Sequence, residues 1–154
     1  MAKKEKIIIG ADHAGFKLKE EIKKFLSELN YVAVDLGVHS DENSSDYPKT
    51  ALKVAQEVAG EKARGILICG TGIGEAIVAN KVMGVRAANC FNEYTAKMSR
   101  EHNDSNILCI GARILDTGQA KNITKIWLES KFDSQSRHGR RVKQIKDIEK
   151  NMCR

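Results

Sequence analysis

Gly65-Ile66-Leu67-Ile68-Cys69, running without a break into Gly70-Thr71-Gly72-Ile73-Gly74-Glu75, decides the architecture. A short apolar run bounded by glycine reads as a strand covered on both faces, which is how central strands of parallel sheets are written. In the loop that follows, three glycines at alternate positions remove Cβ atoms where the chain must turn. Successive N–H groups can then converge on one point ahead of a helix that reads to about Lys81, which makes an anion-accepting turn at the carboxyl end of a strand.

Working outward, β-branched apolar runs alternate with segments of helical period, the pattern of βαβ units. Strands are expected at Lys6–Ala11, Tyr31–Leu36, Val85–Cys90 and Asn106–Gly111. Helices are expected over 14–29, from Pro48 to about Ala59, over 92–101, from an Asp116 cap to about Leu128, and over 137–151, after a polar break at Ser130–Ser136. Proline suits a first helical turn and aspartate an N-cap. The sum is one α/β domain, a three-layer αβα sandwich with a five-stranded parallel, Rossmann-like sheet and helices on both faces. In such sheets ligands bind outside the carboxyl ends of the strands.

The glycine loop is neither of the common nucleotide motifs. The third glycine position of a dinucleotide fingerprint is occupied by Glu75, and the loop follows the third strand rather than the first, although Glu93 stands near the spacing of a ribose-binding acid. No Gly-Lys-Ser/Thr follows, so it is not a P-loop.

The chain has 154 residues, 42% hydrophobic and 30% charged, with one proline, a composition that excludes disorder and suits a single domain. No apolar run approaches the roughly 20 residues of a membrane span and no signal-peptide pattern opens the chain, so a cytoplasmic protein is expected. Residues 121–154 hold 10 Lys and Arg against 4 Asp and Glu, whereas residues 1–120 balance at 16 each; the whole net charge of +6 sits in the C-terminal segment. Nucleic acid is disfavoured as the reason, because no aromatic platform or reader motif accompanies the charge. The four cysteines show no metal-ligand or disulfide spacing.

Cys69 closes the buried strand and opens the glycine loop. Oriented N–H groups there should lower its pKa and fit it to act as base or nucleophile. Cys90 and Cys109 read as small core residues inside strands, and Cys153 as an exposed tail thiol. Glu75 is as readily a favourable charge in a first helical turn as a catalytic carboxylate. Asp12-His13 follows the first strand, on the same rim as Cys69; Asp12 also suits a turn and cap. His102 ends a helix on the opposite rim, and His39 reads as solvated. Arg137 and Arg141, four apart, present two guanidinium forks on one helical face and suit a phosphate monoester, with Arg113 a third candidate. Arg140 and His138 fall on other faces, and Lys143, Lys146 and Lys150 read as a solvated face.

Seven segments in order, spanning nearly the whole chain, carry a resemblance. They are Gly10-Ala11-Asp12-His13-Ala14-Gly15, Asp46-Tyr47-Pro48, the 69–74 loop, Ala79-Asn80-Lys81, Ser99-Arg100-Glu101-His102-Asn103-Asp104, Gly111-Ala112-Arg113, and Arg137-His138-Gly139-Arg140-Arg141-Val142. Together they resemble the ribose-5-phosphate isomerase type B family, shared with galactose- and allose-6-phosphate isomerases. The resemblance implies interconversion of D-ribose 5-phosphate and D-ribulose 5-phosphate, a step of pentose phosphate metabolism, through an enediolate and without metal or organic cofactor. It implies Cys69 as the base, with Glu75 as alternative or helper, Thr71 and the amides of Gly70, Gly72, Ile73 and Gly74 around the enediolate, and His102 assisting ring opening beside Asn103. Asp12, His13 and Tyr47 are implied to bind substrate, and Arg113, Arg137 and Arg141 its phosphate. The sites are implied to be shared between the subunits of a homodimer or dimer of dimers, with the 137–151 helix serving its neighbour. Activity on allose or galactose 6-phosphate is the alternative within the family, and a non-catalytic phosphate- or nucleotide-binding module the alternative outside it.

Overall fold

The structure, a computed structural model, describes residues 4–152. The elements run β1 (Lys6–Ala11), α1 (Phe16–Glu28), β2 (Val32–Asp35), α2 (Tyr47–Glu61), β3 (Arg64–Cys69), α3 (Ile73–Ala79), β4 (Ala87–Asn89), α4 (Glu93–Asn103), β5 (Ile107–Gly111), α5 (Thr117–Glu129) and α6 (Arg137–Met152). One sheet is formed in the order β2-β1-β3-β5-β4, with every neighbouring pair parallel. The chain winds one way from β1 to β2 and the other way from β3 onward. The carboxyl ends of β1 and β3 are therefore the topological switch point, where a crevice opens.

Strand periodicity divides the core between two faces. Ile7, Ile9, Ile66, Ile68, Leu108 and Ile110 pack beneath α1, α4 and α5 with Leu18, Ile22, Leu26, Ala96, Ile123 and Trp127. The alternate residues Ile8, Leu67, Ile107 and Cys109 face α2 and α3, against Val54, Ala55, Val58, Ala76 and Ala79. Each fully buried aliphatic side chain contributes about 1.5–3 kcal/mol, so the central strands carry much of the stability. No helix among the described residues is long and apolar enough to cross a membrane.

Several boundaries differ from those read in the sequence, each for a local reason. Helix α1 starts at Phe16 rather than residue 14, because the Asp12–Gly15 stretch makes a turn in which Asp12 Oδ1 accepts the Gly15 N–H at 3.0 Å. Asp12 thus closes the turn and does not cap the helix. A Cβ at Gly15 would stand 2.0 Å from the Ile68 carbonyl oxygen, so this turn lies on β3 itself. Strand β4 is three residues, not six, since Asn106 takes the Arg86 N–H and donates to the Gly84 carbonyl, holding the approach to β4 as a turn. Cys90 falls just beyond β4, not inside it, and Cys153 lies outside the described residues. Pro48 occupies the first turn of α2, which runs two residues further than expected, to Glu61. Asp116 caps α5 in a reciprocal box with Gln119.

Candidate active site

Two loops meet at the switch point. After β1, the backbone N–H of Asp12 reaches the Ile68 carbonyl at 3.3 Å. His13 is fixed by a reciprocal pair: its N–H donates to Ser45 Oγ at 2.9 Å, and its Nδ1 accepts the Ser45 N–H at 3.1 Å. Nδ1 is thereby an acceptor, so the proton of the neutral ring resides on Nε2, which remains available. The segment bearing Ser45 follows β2 and is anchored near its start by fully buried Lys19, whose ammonium meets Asp35 at 2.7 Å and the Val38 carbonyl at 2.6 Å.

The second loop is held on all sides. Gly72 has φ +81 and serves as the N-cap of α3, so Ile73 and Gly74 belong to the helix's first turn. Only glycine takes that backbone without strain. The Asn89 amide donates to the Thr71 carbonyl at 3.0 Å, and the N–H groups of Ala112 and Arg113 donate to the Cys69 and Gly70 carbonyls at 2.8 and 3.0 Å. The Arg113 guanidinium lies against Gly70 and the Tyr47 ring against Gly74; Cβ atoms at those glycines would stand 3.0 and 2.6 Å from them. Asp12, His13, Tyr47, Cys69, Thr71, Glu75 and Arg113 are thus gathered on one rim, as the sequence suggested. Ile73 is exposed and faces a small apolar cleft of about 210 Å³ with Phe91 and Ile114.

The ionisation of this rim departs from the sequence expectation. Cys69 Sγ accepts the Gly72 N–H at 3.0 Å, a contact that favours the thiolate. Burial, then the Glu75 carboxyl and more weakly Asp12, outweigh it and push the thiol above its ordinary value, not below it. The expected drop assumed that the loop dipoles act alone; burial of the thiol, then the neighbouring carboxyls, reverse the sign. Glu75 is also not a surface charge of a first helical turn. It is fully buried, neither oxygen has a hydrogen-bond partner, and burial with Asp12 holds its carboxyl well above the carboxylate range, with Cys69 offsetting a part.

A stability test follows from Glu75. Because its pKa is raised in the folded chain, the neutral acid contributes stability that is fully present below the unfolded value and is lost as pH rises through the folded one. Glu75→Gln, which cannot ionise, should therefore gain on the native chain as pH rises from 5 to 9, with a melting-temperature difference that grows by more than about 2 °C. A difference that stays constant across this range would show that Glu75 does not titrate as a buried acid.

The remaining candidates form a separate group. Helix α4 returns from the carboxyl end of β4 to the amino end of β5, so His102 and Asn103 in its last turn stand on the rim opposite Cys69. Helix α6 packs on α4. The His138 ring, in its first turn, stacks on His102 with centroids 4.0 Å apart and planes 11° from parallel. Partial burial, then His102, Arg137 and Arg141, hold His138 below the usual histidine value. Arg137 and Arg141 are exposed beside this pair. One chain therefore presents two separate clusters, a thiol–carboxyl rim at the strand carboxyl ends and a His–Arg cluster at the far side, and does not bring them together.

Sequence reasoning missed His138, Asn89 and Ser45. His138 was set aside by helical periodicity, yet its ring stacks on His102 through tertiary contact between α4 and α6, which periodicity does not report. Asn89 and Ser45 act through loop carbonyls and ring nitrogens distant in sequence, and nothing local marks them. Among the described residues no group of three His, Cys, Asp or Glu side chains is placed to hold a metal ion.

Fold and rim define a doubly wound α/β enzyme with an ionisable thiol–carboxyl pair at its switch point. Residues 7–145 match the Ribose/Galactose Isomerase family. Ribose-5-phosphate isomerase B of Escherichia coli is 46% identical over 146 residues, 94% of this chain and 97% of that protein. A D-erythrulose-4-phosphate isomerase of Mycolicibacterium smegmatis is 41% identical over 143 residues, 91% and 94% of the two chains. The solved ribose-5-phosphate isomerase B of Clostridium thermocellum superposes with a TM-score of 0.91 at 50% identity, covering 96% of this chain and 99% of the other. The chain belongs to the Ribose/Galactose Isomerase family and is a sugar phosphate isomerase.

Proposed function

We propose that the chain interconverts D-ribose 5-phosphate and D-ribulose 5-phosphate through a cis-enediolate, in active sites completed by a second copy of itself. The observation that carries this reading is the pairing of buried Cys69 and Glu75 at the switch point, beside buried Asp12. In the aldose-to-ketose direction Cys69 takes the C2 proton. The C2–H electron pair becomes the C1=C2 bond, and the carbonyl π electrons pass to O1. The C1=C2 electron pair then takes the same proton at C1, while the O2 proton passes to O1 and the O2–H electron pair closes the C2 carbonyl. Thr71 and the amides of the 70–74 loop other than the Gly72 N–H, which is donated to Cys69 Sγ, face the developing oxyanion; such donors are typically worth about 3–4 kcal/mol each. Asp12, His13 and Tyr47 orient the sugar, and Arg113 approaches the phosphate. The name of the E. coli relative supports the five-carbon substrate.

The partner supplies what this rim lacks. His102 opens the sugar ring beside Asn103, and Arg137 and Arg141 close on the phosphate, all from the second subunit. Two features support a second copy: the two clusters are complementary, and the apolar side chains Ile73, Phe91 and Ile114, each more than half exposed, border the rim that must be covered. No metal is required in this scheme, because the loop donors stabilise the enediolate.

The test is turnover in the presence of a chelator, with ribose 5-phosphate compared against allose 6-phosphate and D-erythrulose 4-phosphate. The expected result is a kcat/KM at least tenfold higher for ribose 5-phosphate. Preference for a six- or four-carbon substrate would move the assignment within the family, and loss of activity in chelator would overturn the metal-free scheme.

A further inference from the structure

The sugar phosphate site uses Arg137 and Arg141, but the positive charge of α6 continues past them. Lys143 is paired with Asp147 at 2.8 Å. Lys146 and Lys150, about 8 to 14 Å further along the helix than Arg141, instead line a cleft of about 570 Å³ at the amino ends of β3, β4 and β5, on the opposite rim from Cys69. Lys62, Arg64, Arg86 and Arg100 line it from other segments, against two carboxylates, Asp104 and Glu149.

Those carboxylates are already engaged, and Arg64 is paired with Glu5 at 2.8 Å, so the cleft cations without an ion pair among the described residues are Lys62, Lys146 and Lys150. Asp104 divides itself between Arg86 at 3.0 Å and Arg100 at 2.9 Å, and Glu149 accepts the Gly84 N–H at 2.9 Å. Arg100 Nε is buried with no hydrogen-bond partner. Burial and the charges of Arg64 and Arg86 work against the Arg100 guanidinium, while Asp104 supports it. Converging cations with too few anions are a standing electrostatic cost that a bound oxyanion relieves. The size falls within the range of small-ligand sites. Its apolar wall is aliphatic, from Val58, Ala59, Ala63 and Met83, and no aromatic ring lines it to stack a base.

We propose that this cleft is a second anion site, separate from the isomerase site, for a small ligand carrying two or more phosphate groups. A single phosphate neutralises too little of the converging charge, whereas a chain of phosphates reaches both the guanidinium wall and the α6 lysines. Nucleic acid is the disfavoured occupant, since the cations line a cleft without an aromatic platform.

The test is calorimetric titration of the native chain with tripolyphosphate at low salt, with the isomerase site kept filled by an equilibrated excess of sugar phosphate. Lys62→Glu/Lys146→Glu/Lys150→Glu changes only exposed side chains, none of them in the isomerase site. The expected result is one additional site per chain whose affinity falls at least tenfold in this variant, with turnover unchanged, and a milder loss in Lys146→Ala/Lys150→Ala. Equal affinity in native chain and triple variant would place the anion elsewhere and overturn the proposal. Absence of binding to the native chain would overturn it equally, and tighter binding of a single-stranded oligonucleotide than of tripolyphosphate would replace the small ligand by nucleic acid.

Discussion

Cys69→Ala is expected to lower kcat/KM for ribose 5-phosphate by 10²–10⁴-fold, the range that a positioned general base supplies. In barrier terms this is about 3–5 kcal/mol. The structure adds a sharper expectation about pH. Burial and the Glu75 carboxyl hold the thiol above its ordinary value, so native activity should climb as pH rises toward the thiol range. Glu75→Gln removes the carboxyl whose ionisation, as pH rises, opposes the thiolate. If Cys69 is the base, that variant keeps most of its turnover at alkaline pH and its acid limb moves to lower pH. If Glu75 is the base, the same variant loses turnover at every pH while Cys69→Ala retains most of it. The two groups are close enough to titrate as a pair, so the limb belongs to the pair, and its displacement by one neutralising substitution assigns the roles.

The sheet was legible because its signals are local. Ile66–Cys69 and Ile107–Ile110 are unbroken apolar runs, and a run of that kind has no stable place except a strand covered on both faces. The glycine loop was legible for a similar reason, since each of its close approaches, such as Tyr47 on Gly74, demands a missing Cβ. Charge at the site was not legible. Nothing in Cys69-Gly70-Thr71-Gly72-Ile73-Gly74-Glu75 shows how deeply Cys69 is buried or that Glu75 turns inward beside it, and together these reverse the expected shift of Cys69. Whether a titratable group is buried beside another is a property of packing, and first-turn position alone suggests the opposite. His138 was lost in the same way: its partner His102 is 36 residues away in sequence and 4.0 Å away in space.

Mixing inactive Cys69→Ala chains with inactive His102→Asn chains is expected to restore about a quarter of native activity. The figure follows from two-fold symmetry. Random exchange at equal concentration makes about half of the dimers mixed, and in each mixed dimer one site receives both lesions while the other receives neither. Half of the dimers with half of their sites intact gives the quarter. A tetramer built from such dimers gives the same fraction, because each site still draws on one pair of chains. The quarter requires Cys69 and His102 to lie on opposite rims of the same sheet, which is set by α4 running from the carboxyl end of β4 to the amino end of β5. Native mass spectrometry of the mixture confirms exchange independently of turnover. Mixed dimers without recovery would mean that each chain completes its own site, and α6 with α4 would then have to leave their packing in the single chain to reach Cys69. The proposed shared site makes the opposite outcome the economical one: the Cys69 rim and the His102–Arg137–Arg141 cluster lie apart in one chain, and a two-fold axis is the smallest symmetry that would join them twice.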